Sequence, residues 1–243
     1  MLLHDTHLHL DLYNKQIQEI VKEIDNNHIF TIAVTNLPIL YEKLKKQINS
    51  ENIKIALGFH PELITQYNKY VDVMWKYINE SRFIGEVGLD FINTTSKDYE
   101  IQISFFKKLI ELCDKIGNKV LTVHSRASEE EVISILPNSF NGKIVLHWYS
   151  GSLKNIDLAI NKGCFFSINY PMLFSKNGRK IIEKIPIDRL LLESDGPLIR
   201  IEERTFRPID LNKTISKLAM LKNIGEIKLS EILAQNLDCL LKL

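Results

Sequence analysis

Near the start of the chain, residues 2–10 read LLHDTHLHL, with His7 and His9 two residues apart near its end. Residues two apart in a strand point to the same side, so His7 and His9 would present both imidazoles to one point. Imidazole nitrogens are common ligands of divalent metal ions. The stretch therefore predicts a first strand, Leu2–Leu8, with a candidate metal-binding pair at its C-terminal end.

Downstream of this stretch, apolar runs alternate with amphipathic stretches. Alternation at this spacing indicates right-handed parallel βαβ units, and about eight of them match a closed (β/α)8 TIM barrel. A doubly wound open sheet is the alternative, but no Gly-rich phosphate loop follows the first strand. We predict one α/β domain over residues 1–243, a long helix at Ser96–Ile116 and another at Leu63–Ile78. The later strands are expected at Phe30–Thr35, Ile53–Gly58, Phe83–Val87, Lys119–His124, Lys143–His147, Cys164–Ile168 and Leu190–Glu193.

Composition narrows the class of protein. The chain has 243 residues, 45% hydrophobic, with a net charge of +1, so only a local patch would hold a polyanion. Its three cysteines form no CxxC pair, which argues against a disulfide framework or a zinc ribbon. Residues 1–5 do not resemble a signal peptide, and no apolar run has the roughly 18 residues of a membrane span. We therefore expect a cytoplasmic protein that does not associate with membranes.

Five further candidate residues lie where later strands are expected to end. Active sites of TIM barrels are at the C-terminal ends of the strands, so these side chains would meet His7 and His9 there. Each position alone has an ordinary structural explanation, such as a helix cap for His124 or a turn for Asp195. Convergence of all of them in one barrel favours a metal site. The five residues are His60, Glu86, His124, His147 and Asp195.

The same residues lie in six short motifs that resemble the TatD-type metal-dependent deoxyribonucleases, within the wider amidohydrolase-like barrel enzymes. The similarity extends over the whole chain. The motifs, in order, are DTHLHLD at 5–11, GFHP at 58–61, GEVGLD at 85–90, VHSR at 123–126, LHWYSG at 146–151 and LESDGP at 192–197.

The resemblance implies a site for two divalent ions, Mg²⁺, Mn²⁺ or Zn²⁺. His7, His9 and Asp195 would hold one ion, His124 and His147 the other, and Glu86 would bridge them. It also implies hydrolysis of DNA phosphodiesters, often from a 3′ end and, we expect, on single strands. Asp195 would then accept a proton from the attacking water as well. Glu193, two residues before Asp195, is expected either to orient a ligand histidine or to pair within the core.

Substrate contacts are less well defined by the sequence. His60 has no metal role in the family and is expected to hydrogen-bond a phosphate or the leaving group. Arg126 would bind a phosphate with both arms of its guanidinium, or form a salt bridge with Glu129 or Glu130. Trp148 is expected to stack on a base, as one of four aromatic candidates with Phe91, Tyr149 and Tyr170. A basic rim is expected from Lys176, Arg179, Arg200, Arg204 and Arg207.

Departures from the family pattern keep other functions open. Leu109 stands where relatives usually carry an inward-facing Gln, and the loop after Asp195 is short. Short, divergent members of this group occur in bacterial defence cassettes, so a role in such a system, with protein partners, is one prediction. A hydrolase or deaminase of C–N bonds is an alternative, although two-metal relatives of that kind commonly bridge with a modified Lys. The last alternative is a component of an assembly that binds a partner or nucleic acid.

Overall fold

The computed structural model describes residues 2–92, 94–201 and 203–242. Eight strands in these ranges surround a common axis: β1 His4–Leu8, β2 Phe30–Ala33, β3 Ile53–Ile55, β4 Phe83–Asp90, β5 Lys119–Arg126, β6 Gly142–His147, β7 Phe165–Ile168 and β8 Leu190–Leu192. The helices are α1 Ile17–Asn26, α2 Pro38–Gln47, α3 Val71–Tyr77, α4 Ser96–Ile116, α5 Glu129–Ile135, α6 Leu153–Asn161, α7 Lys176–Lys184, α8 Leu211–Lys222 and α9 Glu226–Leu241. A short antiparallel hairpin, β9 Arg200–Ile201 and β10 Arg204–Thr205, follows β8.

The strands form a closed barrel. Strands β1 to β3 pair in parallel in chain order, as do β4 to β8. A bridge between Leu57 and Ile84 joins the two groups. On the other side, the Thr6 hydroxyl donates to Leu192 O (3.0 Å), and Leu192 N donates to Nε2 of His4 (3.1 Å). The predicted (β/α)8 barrel is confirmed, whereas the assignment of residues 1–243 to one domain stays a prediction.

Alternation along the strands separates two apolar layers. Val120 points into the barrel and its neighbour Leu121 points outward against the helices, as expected for successive residues of a strand. Leu240 of α9 packs among the inward residues and so covers the end of the barrel opposite the site. The inward layer contains Ile32, Val34, Ala56, Phe83, Val120, Val145, Phe165 and Leu191.

Helix α4 has the predicted bounds Ser96–Ile116 because a capping residue precedes its first turn and a glycine follows its last turn. The Thr95 hydroxyl accepts from Asp98 N (3.2 Å) and caps the first turn. Gly117 follows the last turn with φ of 75°, a conformation that glycine adopts without strain. Leu109 is fully buried on the barrel-facing side of this helix, within the outer apolar layer.

Each predicted strand differs from the structure by one to three residues at one end, and one predicted helix differs more. Strand β3 ends at Ile55 and not at Gly58, so His60 lies on the loop five residues after it. A helix over Leu63–Ile78 was wrong: α3 begins only at Val71, and short 3-10 turns precede it at Pro61–Leu63 and Asn68–Tyr70. The first of these turns is fixed by a side chain, since His60 Nδ1 accepts from Glu62 N (3.3 Å). Strand β4 is longer than predicted because it pairs with β5 as far as Asp90, so Glu86 lies within the strand and not at its end.

Among the described helices, none combines the length and apolar character that crossing a bilayer requires.

Candidate metal centre

The predicted site residues meet at one end of the barrel. They surround a cavity of about 700 Å³ at the C-terminal ends of the strands, where the barrel geometry places active sites. His7 lies fully buried beneath the cavity, with its Nε2 atom 3.3 Å from Nε2 of His9. The candidates that line the cavity are His9, His60, Glu86, His124, His147 and Asp195.

Glu86 is at the centre of the cluster and is 3% exposed. Its Oε1 atom faces Nδ1 of His124 (2.8 Å) and Nε2 of His147 (3.0 Å). Its Oε2 atom faces Nε2 of His7 (3.6 Å) and Nε2 of His9 (3.5 Å). The two oxygens of one carboxylate therefore serve two separate pairs of imidazoles.

The pair formed by His7 and His9 is completed by Asp195. Asp195 Oδ1 lies 3.4 Å from His9 Nε2, and the ligand atoms of the three residues lie within 4.8 Å of one another. Asp195 comes three residues after β8, with φ of 47°, which turns its side chain toward β1. Its backbone N–H donates to His7 O (3.0 Å), so the same junction that closes the barrel also positions the carboxylate.

The second pair is held by the ends of β5 and β6. Nδ1 of His124 lies 3.3 Å from Nε2 of His147. Gly88 permits the close approach of β4 here, because a Cβ at this position would lie 2.0 Å from His124 O. His60 is adjacent, with Nε2 3.6 Å from Glu86 Oε1. Since His60 Nδ1 accepts from a backbone N–H, Nε2 is the protonated nitrogen and faces the cavity as a donor.

Groups behind the imidazoles fix their orientation. Asp90 Oδ2 accepts from His124 Nε2 (2.7 Å), which leaves the lone pair of Nδ1 directed at Glu86. Thr122 Oγ1 lies 2.8 Å from His7 Nδ1. Glu193, fully buried, has Oε2 3.6 Å from His147 Nδ1 and also accepts from the Asn169 amide (2.8 Å). Glu193 also accepts from the Ser167 hydroxyl, whereas His147 Nδ1 has no hydrogen-bond partner. The hydrogen bonds of Glu193 therefore match the predicted pairing within the core, and its role in orienting a histidine stays a prediction.

Burial and neighbouring charges set the protonation of the cluster. Burial raises the pKa of Glu86, but the surrounding imidazoles outweigh it and hold that pKa well below the ordinary value. Burial lowers the pKa of His147, but the carboxylate of Glu193 outweighs it and raises that pKa well above the ordinary value. Burial lowers the pKa of His60 to about 4, so this imidazole is neutral at pH 7. The carboxylates of Glu86 and Glu193 therefore draw positive charge into the cluster.

The arrangement fits divalent cations. Ligand nitrogens about 2.0–2.1 Å from one tetrahedral ion are about 3.3 Å apart, and the two imidazole pairs have this separation. The lone pair of His124 Nδ1 faces the Glu86 carboxylate, an unfavourable contact unless a proton or a metal ion lies between them. Asp195 Oδ1 is buried without a hydrogen-bond partner, which also suits a metal ligand. The cluster therefore indicates divalent-metal binding.

The predicted substrate contacts are only partly at the cavity. Arg126 and Trp148 line it together with His60. Arg126 pairs with Glu62 (3.4 Å) and Asp90 (3.1 Å), and not with Glu129 or Glu130 as one interpretation of the sequence had it. Trp148 follows β6 with φ of 40° and is 38% exposed, so its indole stands at the mouth of the cavity.

The other aromatic candidates are packed elsewhere. Tyr149 is buried against Phe166, with its hydroxyl donating to Ser152 O (2.8 Å). Tyr170 stacks on Phe206, 5.6 Å between ring centroids. Phe91 packs on Tyr99 on the loop after β4, with ring centroids 4.2 Å apart. Of the four, only Trp148 lines the cavity among the residues that the structure describes.

The five members of the predicted basic rim do not line the cavity within the described ranges, and a rim outside the cavity stays a prediction. Arg204 instead forms a salt bridge with Asp210 (2.5 Å), and Arg207 bonds to Glu19 (2.7 Å). The Arg200 guanidinium donates to Glu203 O (2.6 Å) in the hairpin turn. Local carboxylates and carbonyls, which a count of basic residues does not reveal, determine where these arginines point. The two remaining members are Lys176 and Arg179.

Three residues with roles in the site were missed. Asp90 lies four residues after Glu86 in the same strand, so the period-2 rule would have placed it on the same face. Gln102 is buried, and its amide oxygen accepts from Asp90 N (2.8 Å), whereas the usual family Gln position is the apolar Leu109. Glu62 lines the cavity. No local signal marked Glu62, because its partner Arg126 is distant in the chain.

Comparison with known proteins identifies the family. The model of the family described as TatD related DNase matches residues 4–242. The chain belongs to the TatD-related DNase family. An uncharacterized metal-dependent hydrolase of Buchnera aphidicola subsp. Baizongia pistaciae is 30% identical over 242 residues, covering 93% of this chain and 90% of that protein. Deoxyribonuclease TATDN3 of Homo sapiens is 24% identical, covering 96% and 92% of the two chains.

A solved structure supports the fold of this family. The crystal structure of YjjV, a TatD homolog from Escherichia coli, aligns with a TM-score of 0.83 and 20% identity, covering 98% of this chain and 97% of that chain. The resemblance predicted from the six motifs is confirmed, and with it the enzyme class, a metal-dependent hydrolase.

Proposed function

We propose that this TatD-family enzyme hydrolyses DNA phosphodiester bonds, removing nucleotides from single-stranded 3′ ends with two divalent ions. The observation that carries the proposal is the position of Glu86, whose two oxygens face two separate imidazole pairs. Two-metal sites of this kind are typical of phosphodiester hydrolysis. The family model and the named deoxyribonuclease among the relatives support the same chemistry.

Six residues would hold the ions. His7, His9 and Asp195 would bind one, His124 and His147 the other, and Glu86 both. When bound, such ions lower the pKa of water and neutralise charge on phosphoryl oxygens. Imidazole and carboxylate ligands suit Mn²⁺ and Zn²⁺, and Mg²⁺ is the third candidate that the family suggests.

The protein's own groups would act on the substrate from two sides of the cavity. Asp195 has a carboxylate oxygen without a hydrogen-bond partner, and we assign it to accept the proton of the attacking water. His60, neutral at pH 7 with Nε2–H toward the cavity, would donate to a phosphate oxygen or to the leaving 3′ oxygen. Glu86 remains anionic and keeps the surrounding imidazoles in position.

Arg126 and Trp148 would position the substrate. The Arg126 guanidinium lies at the cavity wall and is half-exposed, so it can form charge-assisted hydrogen bonds to a phosphate. The indole of Trp148 offers a flat apolar surface on which a terminal base can stack, worth about 1–3 kcal/mol. Stacking needs an unpaired base, which is why we propose single-stranded ends.

The alternatives have weaker support. A C–N hydrolase of this barrel type commonly bridges its metals with a modified Lys, but Glu86 occupies the corresponding strand. Among the described residues, no lysine lines the cavity. A role in a bacterial defence system, protein partners in an assembly and a cytoplasmic location stay predictions from the sequence.

The test uses purified protein and a 5′-labelled single-stranded oligonucleotide with Mg²⁺, Mn²⁺ or Zn²⁺. We expect a ladder of products shortened one nucleotide at a time from the 3′ end, which disappears with a chelator and in Glu86→Gln and His124→Ala. A duplex with blunt ends should be a poorer substrate. Cleavage that persists in both variants would refute the assignment, since a contaminating nuclease would then explain it.

A further inference from the structure

The wall of the cavity carries little positive charge. Apart from the histidines, Arg126 is its only cationic lining residue among the described positions. Its Nη2 atom lies 3.4 Å from Glu62 Oε1 and its Nε atom 3.1 Å from Asp90 Oδ2. Both carboxylates line the cavity too. Two of the three guanidinium nitrogens of Arg126 therefore already face carboxylates, which compete with a phosphate for the same charge.

Two carboxylates, Glu62 and Glu129, lie at or near the mouth. Glu62 is 48% exposed on the turn that begins at Pro61, and its backbone N–H is bonded to His60. On the opposite wall, Ser150 donates to Glu129 Oε1 (2.8 Å) and so holds a second carboxylate near the rim. Positive charge from bound ions would be confined to the floor of the cavity, around Glu86.

Besides the neutral polar residues Asn36, Ser125 and Ser150, the rest of the lining is apolar. Four apolar side chains from four different loops line the mouth, and Leu198 and Trp148 are 59% and 38% exposed. This apolar surface can contact a base or a sugar, but it carries no charge that would hold further phosphates along a strand. The four residues are Leu12, Leu63, Trp148 and Leu198.

From these observations we infer that the enzyme binds only one phosphodiester linkage of its substrate, so that its binding site covers one dinucleotide. We further infer that Glu62 is the residue that prevents a preference for longer strands. The inference rests on the proposed function, because it concerns the same cavity. The volume of about 700 Å³ matches a ligand of that size. Beyond the first linkage, a longer strand would meet no further cationic side chain in the described lining of the cavity apart from the histidines, and Glu62 would repel its outer phosphates.

The dependence of binding affinity on salt concentration gives a quantitative test of the number of phosphates bound. Each phosphate contact with a single strand adds about −0.7 to the slope of log affinity against log salt concentration. One contact at Arg126 predicts a slope near −0.7, whereas an enzyme that tracks four or five phosphates would show about −3. Glu62→Gln removes the competing charge, so the slope for a long strand should become steeper and its KM should fall about threefold, with kcat retained.

The experiment compares the dinucleotide of thymidine, which has one phosphodiester, with a thymidine oligonucleotide of about 20 residues. The value of kcat/KM per 3′ end is measured from about 50 to 200 mM NaCl at fixed Mn²⁺. Equilibrium binding of phosphorothioate analogues of both lengths, which keep the charge and resist hydrolysis, to the wild-type enzyme at fixed Mn²⁺ is a readout independent of turnover. The matched control is Glu80→Gln, since Glu80 is 52% exposed and pairs with Lys45 (3.3 Å) outside the cavity.

The expected result is that both lengths react within threefold of each other, with shallow salt slopes, and that only Glu62→Gln shifts the preference toward the long strand. A long strand favoured tenfold or more, with a slope near −3 in the wild type, would overturn the inference. An unchanged preference in Glu62→Gln would overturn the role of Glu62. If neither length is hydrolysed, the proposed function fails, and the binding measurement decides the inference: equal affinity supports it, and tighter binding of the long strand or no binding of either overturns it.

Discussion

Replacing Asp90 by Asn tests how the second imidazole pair is oriented. Asp90 is fully buried, and its Oδ2 accepts from His124 Nε2 at 2.7 Å. An Asn amide would present N–H groups to that nitrogen, unless its oxygen turns inward and gives up the bond to Ile92 N (2.9 Å). His124 would then favour the tautomer with the proton on Nδ1, the nitrogen that faces Glu86. One ligand of the second ion would be lost for part of the population.

The magnitude follows from these contacts. Removing a group that orients a ligand histidine typically costs 10–100-fold in metal affinity, which is about 1.4–2.7 kcal/mol. Loss of a hydrogen bond to a charged group, about 1.5–3 kcal/mol, agrees with this range. The ion held by His7, His9 and Asp195 should be unaffected, because Thr122, and not Asp90, contacts His7.

The assay is calorimetric titration of metal-stripped protein with Mn²⁺ at pH 7.5. Wild type should bind in two steps, and Asp90→Asn should weaken only one of them by 10–100-fold. The control is Asp157→Asn, since Asp157 is an exposed carboxylate that pairs with Lys184 (2.7 Å). The reasoning is refuted if a folded Asp90→Asn protein binds both ions within twofold of the wild-type affinities.

Three further predictions concern stability and substrate binding. Burial lowers the pKa of His4 to about 3. The unfolded chain therefore takes up this proton first, and each pH unit below 6.5 should cost about 1.4 kcal/mol until near pH 3. Urea unfolding at pH 7, 6 and 5 should show a smaller loss in His4→Gln and an unchanged loss in His28→Gln, since His28 is exposed. Leu109→Gln should destabilise the fold by about 2–5 kcal/mol without altering Mn²⁺ affinity, because the amide would be buried in the apolar layer; stability close to that of the wild type would contradict this. Trp148→Ala should raise KM about 5–100-fold for single-stranded DNA, as expected for the loss of one stacked base, and an unchanged KM would exclude stacking.

The barrel and the members of the central cluster were accessible from the sequence because each depends on a local pattern. The alternation of apolar runs and helical stretches specifies the order of elements, and the His-x-His pattern places two imidazoles on one side of β1. Helix α4 was predicted with its bounds because Thr95 and Gly117 mark its ends within the chain itself. The same reasoning failed for α3, because the first of the turns before it, Pro61–Leu63, depends on the His60 side chain.

The tertiary structure decided which partner each charged side chain takes. Glu86 was a predicted bridge, but the division of its two oxygens between two imidazole pairs depends on four strands that pack around it. Asp90 has a role only because β4 pairs with β5 beyond Glu86. Arg204 was expected at the substrate and instead pairs with Asp210. Periodicity along a chain fixes which side of an element a residue faces, whereas electrostatic partners are chosen by distance in space, and that distance exists only once the barrel has closed.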